Sequence, residues 1–111
     1  MTVSLAATRD ISGFIRANLI NARYGMGVAS SEEFPDDVEN AEVSEKMRLL
    51  RRPPDEDLVL TVEDHYHVIR PLDGMPELFM HVVLDRRSTD LAAARACMAQ
   101  IARSVSSEFA A

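Results

Sequence analysis

Three histidines are the side chains best suited to chemistry in this 111-residue chain: His65 and His67 in HYHVIR, and His81 in LFMHVVL. A spacing of two along a strand puts His65 and His67 on one face. Three imidazoles converging from adjacent strands would make a zinc ligand set. The competing expectation is stronger: Met80 and Val82, rather than His81, take the outward face of their strand, and histidines scattered over a half-solvated sheet need no ligand. The three are therefore expected at the surface, with no metal and no cofactor. Asp64 beside them invites a Ser-His-Asp reading, but no serine stands on a G-x-S-x-G elbow, and Ser88 is better used as a helix cap. The acids Glu32-Glu33, Asp36-Asp37 and Asp55-Glu56-Asp57 fall in polar connections or at a helix start, where solvation rather than a raised pKa is expected. Gly25 and Gly27 are followed by no Lys-Ser/Thr and no immediate helix, so they cradle no phosphate. An enzyme is not expected.

The bulk of the chain points to one globular domain. Hydrophobic residues make up 47% of it, with five prolines and four glycines, a globular composition sized for one domain over residues 1–111. A net charge of −6 argues against nonspecific nucleic-acid binding. No apolar run is long enough to span a bilayer, and MTVSLAATRD lacks the basic and apolar regions of a secretory signal, so a cytoplasmic protein is expected. The single Cys97, set among alanines, excludes an internal disulfide and reads as a small buried hydrophobe.

Alternation and helical spacing give the elements. Residues 4–9 allow one short helical turn. In FIRANLI, residues 14–20, the set Ile15, Ala17 and Leu19 is uniformly apolar and faces inward. A second strand covers residues 24–29, with Gly25 and Gly27 marking a bulge or a close backbone approach. Asp36 or Asp37 caps a helix to about residue 52, acids early and Arg48, Arg51 and Arg52 late, matching the macrodipole. Its apolar positions form two stripes: Val38, Ala41 and Leu49 on one face, and Val43, Met47 and Leu50 on the other. One buried side needs one stripe, so the second points to a partner surface or to a wide core face. Pro53-Pro54 stops that helix. Strands over residues 57–62 and 65–70 flank Glu63-Asp64 as a hairpin connection, and residues 71–76 turn into a central strand over 78–84. Ser88 or Thr89 caps a last helix whose core stripe is Leu91, Ala94, Met98, Ile101 and Val105.

The pieces ISGFIRANLINARYGMGVAS, VENAEV and YHVIRPL…PELFMHVVLDRRSTDLAAARACM together resemble the roadblock / dynein-light-chain superfamily, and its small actinobacterial-type members most. The resemblance covers roughly residues 4 to 105. It implies an α+β fold: a five-stranded antiparallel sheet with flanking helices, in the order α-β-β-α-β-β-β-α. It also implies a dimer in which the middle helix packs on its twin and the strand after it pairs edge to edge across the two copies. On this sequence those are the helix around residues 38–50 and the strand over 57–62. Two features depart from the family pattern: the very short first helix, and Arg16 where members usually carry a small residue.

Superfamily members are usually non-catalytic regulators or scaffolds of small Ras-like GTPases, some stimulating hydrolysis as dimers. The chain has no G-x-x-x-x-G-K-[ST] and so does not look like the nucleotide-binding partner. The expectation is a homodimeric signalling adaptor engaging a small GTPase or related regulator, with a dimer interface of Val43, Met47, Leu50, Leu58 and Leu60. Glu42, Glu45 and Arg48 would form the partner surface. The alternative is a sensor holding a small ligand or metal between the sheet and the last helix, near Met98 and Ile101.

Overall fold

The computed structural model describes residues 5–21, 26–30, 57–72 and 75–110. A 3-10 turn, Ala6–Asp10, leads into strands β1, Phe14–Asn21, and β2, Met26–Ser30. Strands β3, Leu58–Val62, β4, His65–Leu72, and β5, Met75–Asp85, follow, and helix α1, Leu91–Ala110, ends the described chain. The helix expected between β2 and β3 lies outside the described residues. The strands form one antiparallel sheet in the order β2-β1-β5-β4-β3, so β1 docks against β5 and the two hairpin regions share a single ladder.

The two-residue turn Glu63-Asp64 sets the register of the β3–β4 hairpin, because Val62 and His65 pair directly across it. Glu63 takes a φ of 54°, the left-handed conformation that the first central position of such a turn requires. In a two-residue hairpin the flanking pair exchanges its backbone bonds, so residues 65, 67, 69 and 71 direct theirs toward β3. The last β3 pair is Leu58 with Ile69. The missing N–H of Pro71 therefore points to where β3 has already ended, which lets β4 run on to Leu72 instead of turning at residue 71 as the sequence reading expects. The bulge expected from the glycines is present on β2. Leu19 faces Ala29 and Ile20 faces Gly27, leaving Val28 as the extra residue.

Helix α1 covers one face of the sheet with the expected stripe: Ala94, Met98, Ile101 and Val105 are buried and Leu91 packs partly against them. They meet Ala17, Leu19, Val68, Met80, Val82 and Leu84. Met80 and Val82 thus point under the helix, not outward. The helix cap also differs from expectation. Asp90 accepts the Ala93 N–H at 3.2 Å, while Ser88 Oγ donates to Asp85 Oδ2 at 2.7 Å and Thr89 Oγ1 donates to the carbonyls of Asp85 and Ser12. Ser88 and Thr89 are taken by the turn after β5, so the next residue with a short acceptor side chain caps the helix.

That turn is sewn to the start of β1. Ser12 Oγ donates to the Ser88 carbonyl at 2.9 Å, and the Asp85 N–H donates to the Gly13 carbonyl at 2.7 Å. Gly13 itself has a φ of +82°, and a Cβ there would collide with Thr89 Oγ1 and lie 3.0 Å from the Asp85 carbonyl oxygen. Glycine alone satisfies both the backbone conformation and the close approach. Gly13→Ala is expected to destabilise the fold by about 1–3 kcal/mol, read as a lower urea midpoint at unchanged m-value.

Candidate functional site

Strand β3 is an edge. Its sequence, LVLTV, is made of strand formers, and among the described residues it pairs with β4 alone. Alternation divides its side chains: Val59 packs toward the core under α1, while Leu58 and Leu60 pack on the opposite face against Ile20, Ile69 and Phe79. Thr61 is exposed, and Val62 is the one large hydrophobe with nearly half its surface in solvent, at 48%, among the described residues. The parity set by the turn also sorts the backbone. Leu58, Leu60 and Val62 bond to β4, so Val59 and Thr61 present their N–H and C=O groups to the outer edge. This is a row of backbone donors and acceptors shaped to take another strand.

A buried carboxylate anchors the start of that edge. Asp57, its side chain 2% exposed, accepts two hydrogen bonds from Arg95 on α1, Nε at 2.9 Å and Nη2 at 2.6 Å, with Arg70 Nη1 on β4 at 3.8 Å. The fork of the guanidinium matches both carboxylate oxygens. Hydrogen bonding and the charge of Arg95, with a further contribution from Arg70, outweigh desolvation and hold the Asp57 pKa below its ordinary value of 3.8. One side chain thereby ties the start of β3 to the helix. The sequence reading placed Asp57 in a solvated acidic run. What it lacked was the knowledge that Arg95, 38 positions away, returns over β3.

The histidines part company. His81 is fully buried, in contradiction to its expected surface position: β5 lies between β1 and β4, and residues on both of its faces are buried. His67 Nδ1 and His81 Nε2 are 3.0 Å apart. His65 stands apart, its ring centre 6.5 Å from that of His67. The face opposite α1 is buried at its centre as well: Asn18, Ile20, Ile69, Phe79 and Val83 are all 2% exposed or less. The reading of β1 as one inward face, Ile15, Ala17 and Leu19, missed this second face. Among the described residues no group of three or more His, Cys, Asp or Glu is arranged to hold a metal ion.

Of the residues expected at the dimer interface, Leu58 and Leu60 lie on β3 as anticipated; Val43, Met47 and Leu50 lie outside the described residues, as do Glu42, Glu45 and Arg48 of the expected partner surface. Of the residues named for the cavity of the alternative reading, Met98 is fully buried in the packed core and Ile101 nearly so. An open groove of about 530 Å³ is lined by Cys97, Gln100, Ile101 and Val105 of α1 and by Ala7 and Asp10 of the 3-10 turn. Cys97 is half-buried rather than buried.

This architecture superposes on solved structures across nearly the whole chain. A Roadblock/LC7 domain from Streptomyces avermitilis superposes with a TM-score of 0.79 over 96% of this chain and 93% of its own, at 16% identity. The chain has the roadblock fold. The gliding protein MglB from Thermus thermophilus follows at 0.70, 17% identity, over 91% of this chain and 82% of that one. An MglB with tetrameric arrangement gives 0.71, 18% identity, over 91% and 81%. By sequence, no protein-family model matches the chain, and no curated protein does. Within the roadblock fold, the open β3 edge is the described feature best formed for recognition. No helix among the described residues is long and apolar enough to cross a membrane.

The Asp57 clamp makes a pH prediction for this roadblock fold. Because its folded pKa is lowered, its stabilisation is complete above the unfolded value and is lost as pH falls through the folded one. Asp57→Asn should cost about 1–2 kcal/mol at neutral pH, held to that size by the exposure of Arg95. The difference from wild type in urea unfolding should shrink as the pH drops below 3.8 and persist undiminished from about pH 5 to 7.

Proposed function

We propose that residues 1–111 form a single roadblock domain that works as a non-catalytic, homodimeric signalling adaptor, engaging a small Ras-like GTPase or a related regulatory protein. The observation that carries this reading is the β3 edge, with its outward backbone groups at Val59 and Thr61 and its apolar flank of Leu58, Leu60 and Val62. An edge of this kind is an aggregation hazard unless something pairs with it. A second copy supplies an identical strand, and a two-fold axis brings the two together antiparallel, the isologous arrangement most homodimers use.

The segment before β3 supports the same partner. Residues 32–45 carry seven acids, Glu32, Glu33, Asp36, Asp37, Glu39, Glu42 and Glu45, and no base; residues 46–52 carry Lys46, Arg48, Arg51 and Arg52 and no acid. Two copies crossing antiparallel there set acids against bases. Like-with-like parallel crossing would be repulsive. In this reading Val43, Met47 and Leu50 continue the seam begun by Leu58 and Leu60, and Glu42, Glu45 and Arg48 face the GTPase.

Two measurements test the proposal. Thr61→Pro removes an outward N–H and leaves the β3–β4 ladder intact, so the folded protein should become monomeric in sedimentation velocity while its circular dichroism is unchanged. An unaltered dimer would count against edge pairing. For the partner, the wild-type dimer should capture a small GTPase loaded with a non-hydrolysable triphosphate and release it in the diphosphate state. Equal or absent capture in both nucleotide states from a panel of such GTPases would contradict the adaptor role.

A further inference from the structure

The His67–His81 contact belongs to no part of the adaptor reading, and its geometry is specific. The facing nitrogens are 3.0 Å apart while the ring centres are 5.2 Å apart, with the planes tilted by only 18°. Centres so much farther apart than the nitrogens mean that the rings meet edge to edge, not face to face. Nδ1 of one and Nε2 of the other are directed at each other. Both rings stand on interior strands, β4 and β5, so ladders on either side fix their spacing. On the next strand, Asn18 is the register partner of His81. It is 2% exposed, and its amide oxygen is buried without a hydrogen-bond partner.

Burying polar side chains here is costly. An orphaned amide oxygen alone costs about 1–3 kcal/mol, and apolar residues would pack the same face at no such penalty. Two imidazole nitrogens and an amide oxygen on three neighbouring strands are, however, a donor set.

We propose that His67 Nδ1 and His81 Nε2 are ligands of a borderline divalent cation of the zinc, copper or nickel class, with the Asn18 amide oxygen as the neighbouring oxygen donor. Imidazole nitrogen is the donor these ions share. Zinc–nitrogen bonds of about 2.0–2.1 Å in a tetrahedral site set two nitrogens roughly 3.3 Å apart, so the pair opens by a few tenths of an ångström and each ring turns until its lone pair points at the ion instead of at the other ring. Proton balance is simple. Each neutral imidazole has one N–H and one lone pair. Without the cation, one ring points its N–H at the other's lone pair. Binding requires that ring to carry its hydrogen on its other nitrogen, so both lone pairs face the ion and no net proton is released. With no third His, Cys, Asp or Glu joining among the described residues, water completes the coordination and the site is weaker than a structural zinc site. Its consequence is local. His67 is the register partner of Leu60, so an ion there braces β4 and β5 directly behind the proposed dimer edge.

The test is calorimetric titration of chelator-stripped full-length protein with zinc chloride and, separately, nickel chloride near neutral pH, with imidazole nitrogen NMR in parallel. Expected are one ion per chain at a micromolar dissociation constant, shifts confined to the His67 and His81 ring nitrogens, and loss of more than about tenfold in affinity in His67→Gln, with binding unchanged in His65→Gln. Because His81 is buried and its variants risk unfolding, the half-exposed His67 carries the mutational arm, checked by an unchanged melting curve without metal. No saturable binding below about 1 mM on folded wild type, or binding that survives His67→Gln, overturns the proposal.

Discussion

A two-residue turn leaves a hairpin no slack, and the arrangement around Glu63-Asp64 depends on that constraint. Pairing Val62 with His65 determines which face each residue of β3 and β4 occupies and which backbone groups look outward. A slip of β3 by one position against β4 would turn Leu58 and Leu60 toward α1 and Val59 away from it. The edge and the tolerance of Pro71 inside β4 are consequences of this register, and the histidine contact is a consequence of the neighbouring β4–β5 register.

The second constraint is ionic. Asp57 stands where the chain enters β3, and the helix reaches it through Arg95. This couples the outermost strand to the element on the far side of the core, so the edge is held by packing at Leu58 and Leu60 and by charge at its first turn. Solved roadblock folds at 16–18% identity superpose over more than nine-tenths of the chain. Such a fold needs the apolar alternation and the turn chemistry, not particular residues, which is why the architecture carries over while partners must be argued from this chain's own surface.

What was legible in the sequence follows the same division. The Glu63-Asp64 turn, the bulge announced by the β2 glycines and the stripe from Leu91 to Val105 are local signals, readable from spacing alone. His81, Asn18 and Ile20 were not, because alternation reports one buried face and a central strand has two. Asp57 looked solvated because its partner is distant in sequence. Asp90 was passed over as a cap because Ser88 and Thr89 precede it, and only the tertiary contact with Ser12 and Gly13 explains why they are occupied elsewhere. Local chemistry was visible, and long-range competition for it was not.

The central claim is that two copies meet along β3. Single cysteines placed in turn at positions 58 to 62, in a background where Cys97 is serine, measure that contact directly. Opposed residues in an antiparallel pair have Cα atoms about 4.5–5.5 Å apart, within disulfide reach. Mild oxidation should therefore link one position on the two-fold axis rapidly and its neighbours slowly or not at all. Uniformly slow linkage at every position, at concentrations where the wild type sediments as a dimer, would place the dimer contact elsewhere and contradict the account.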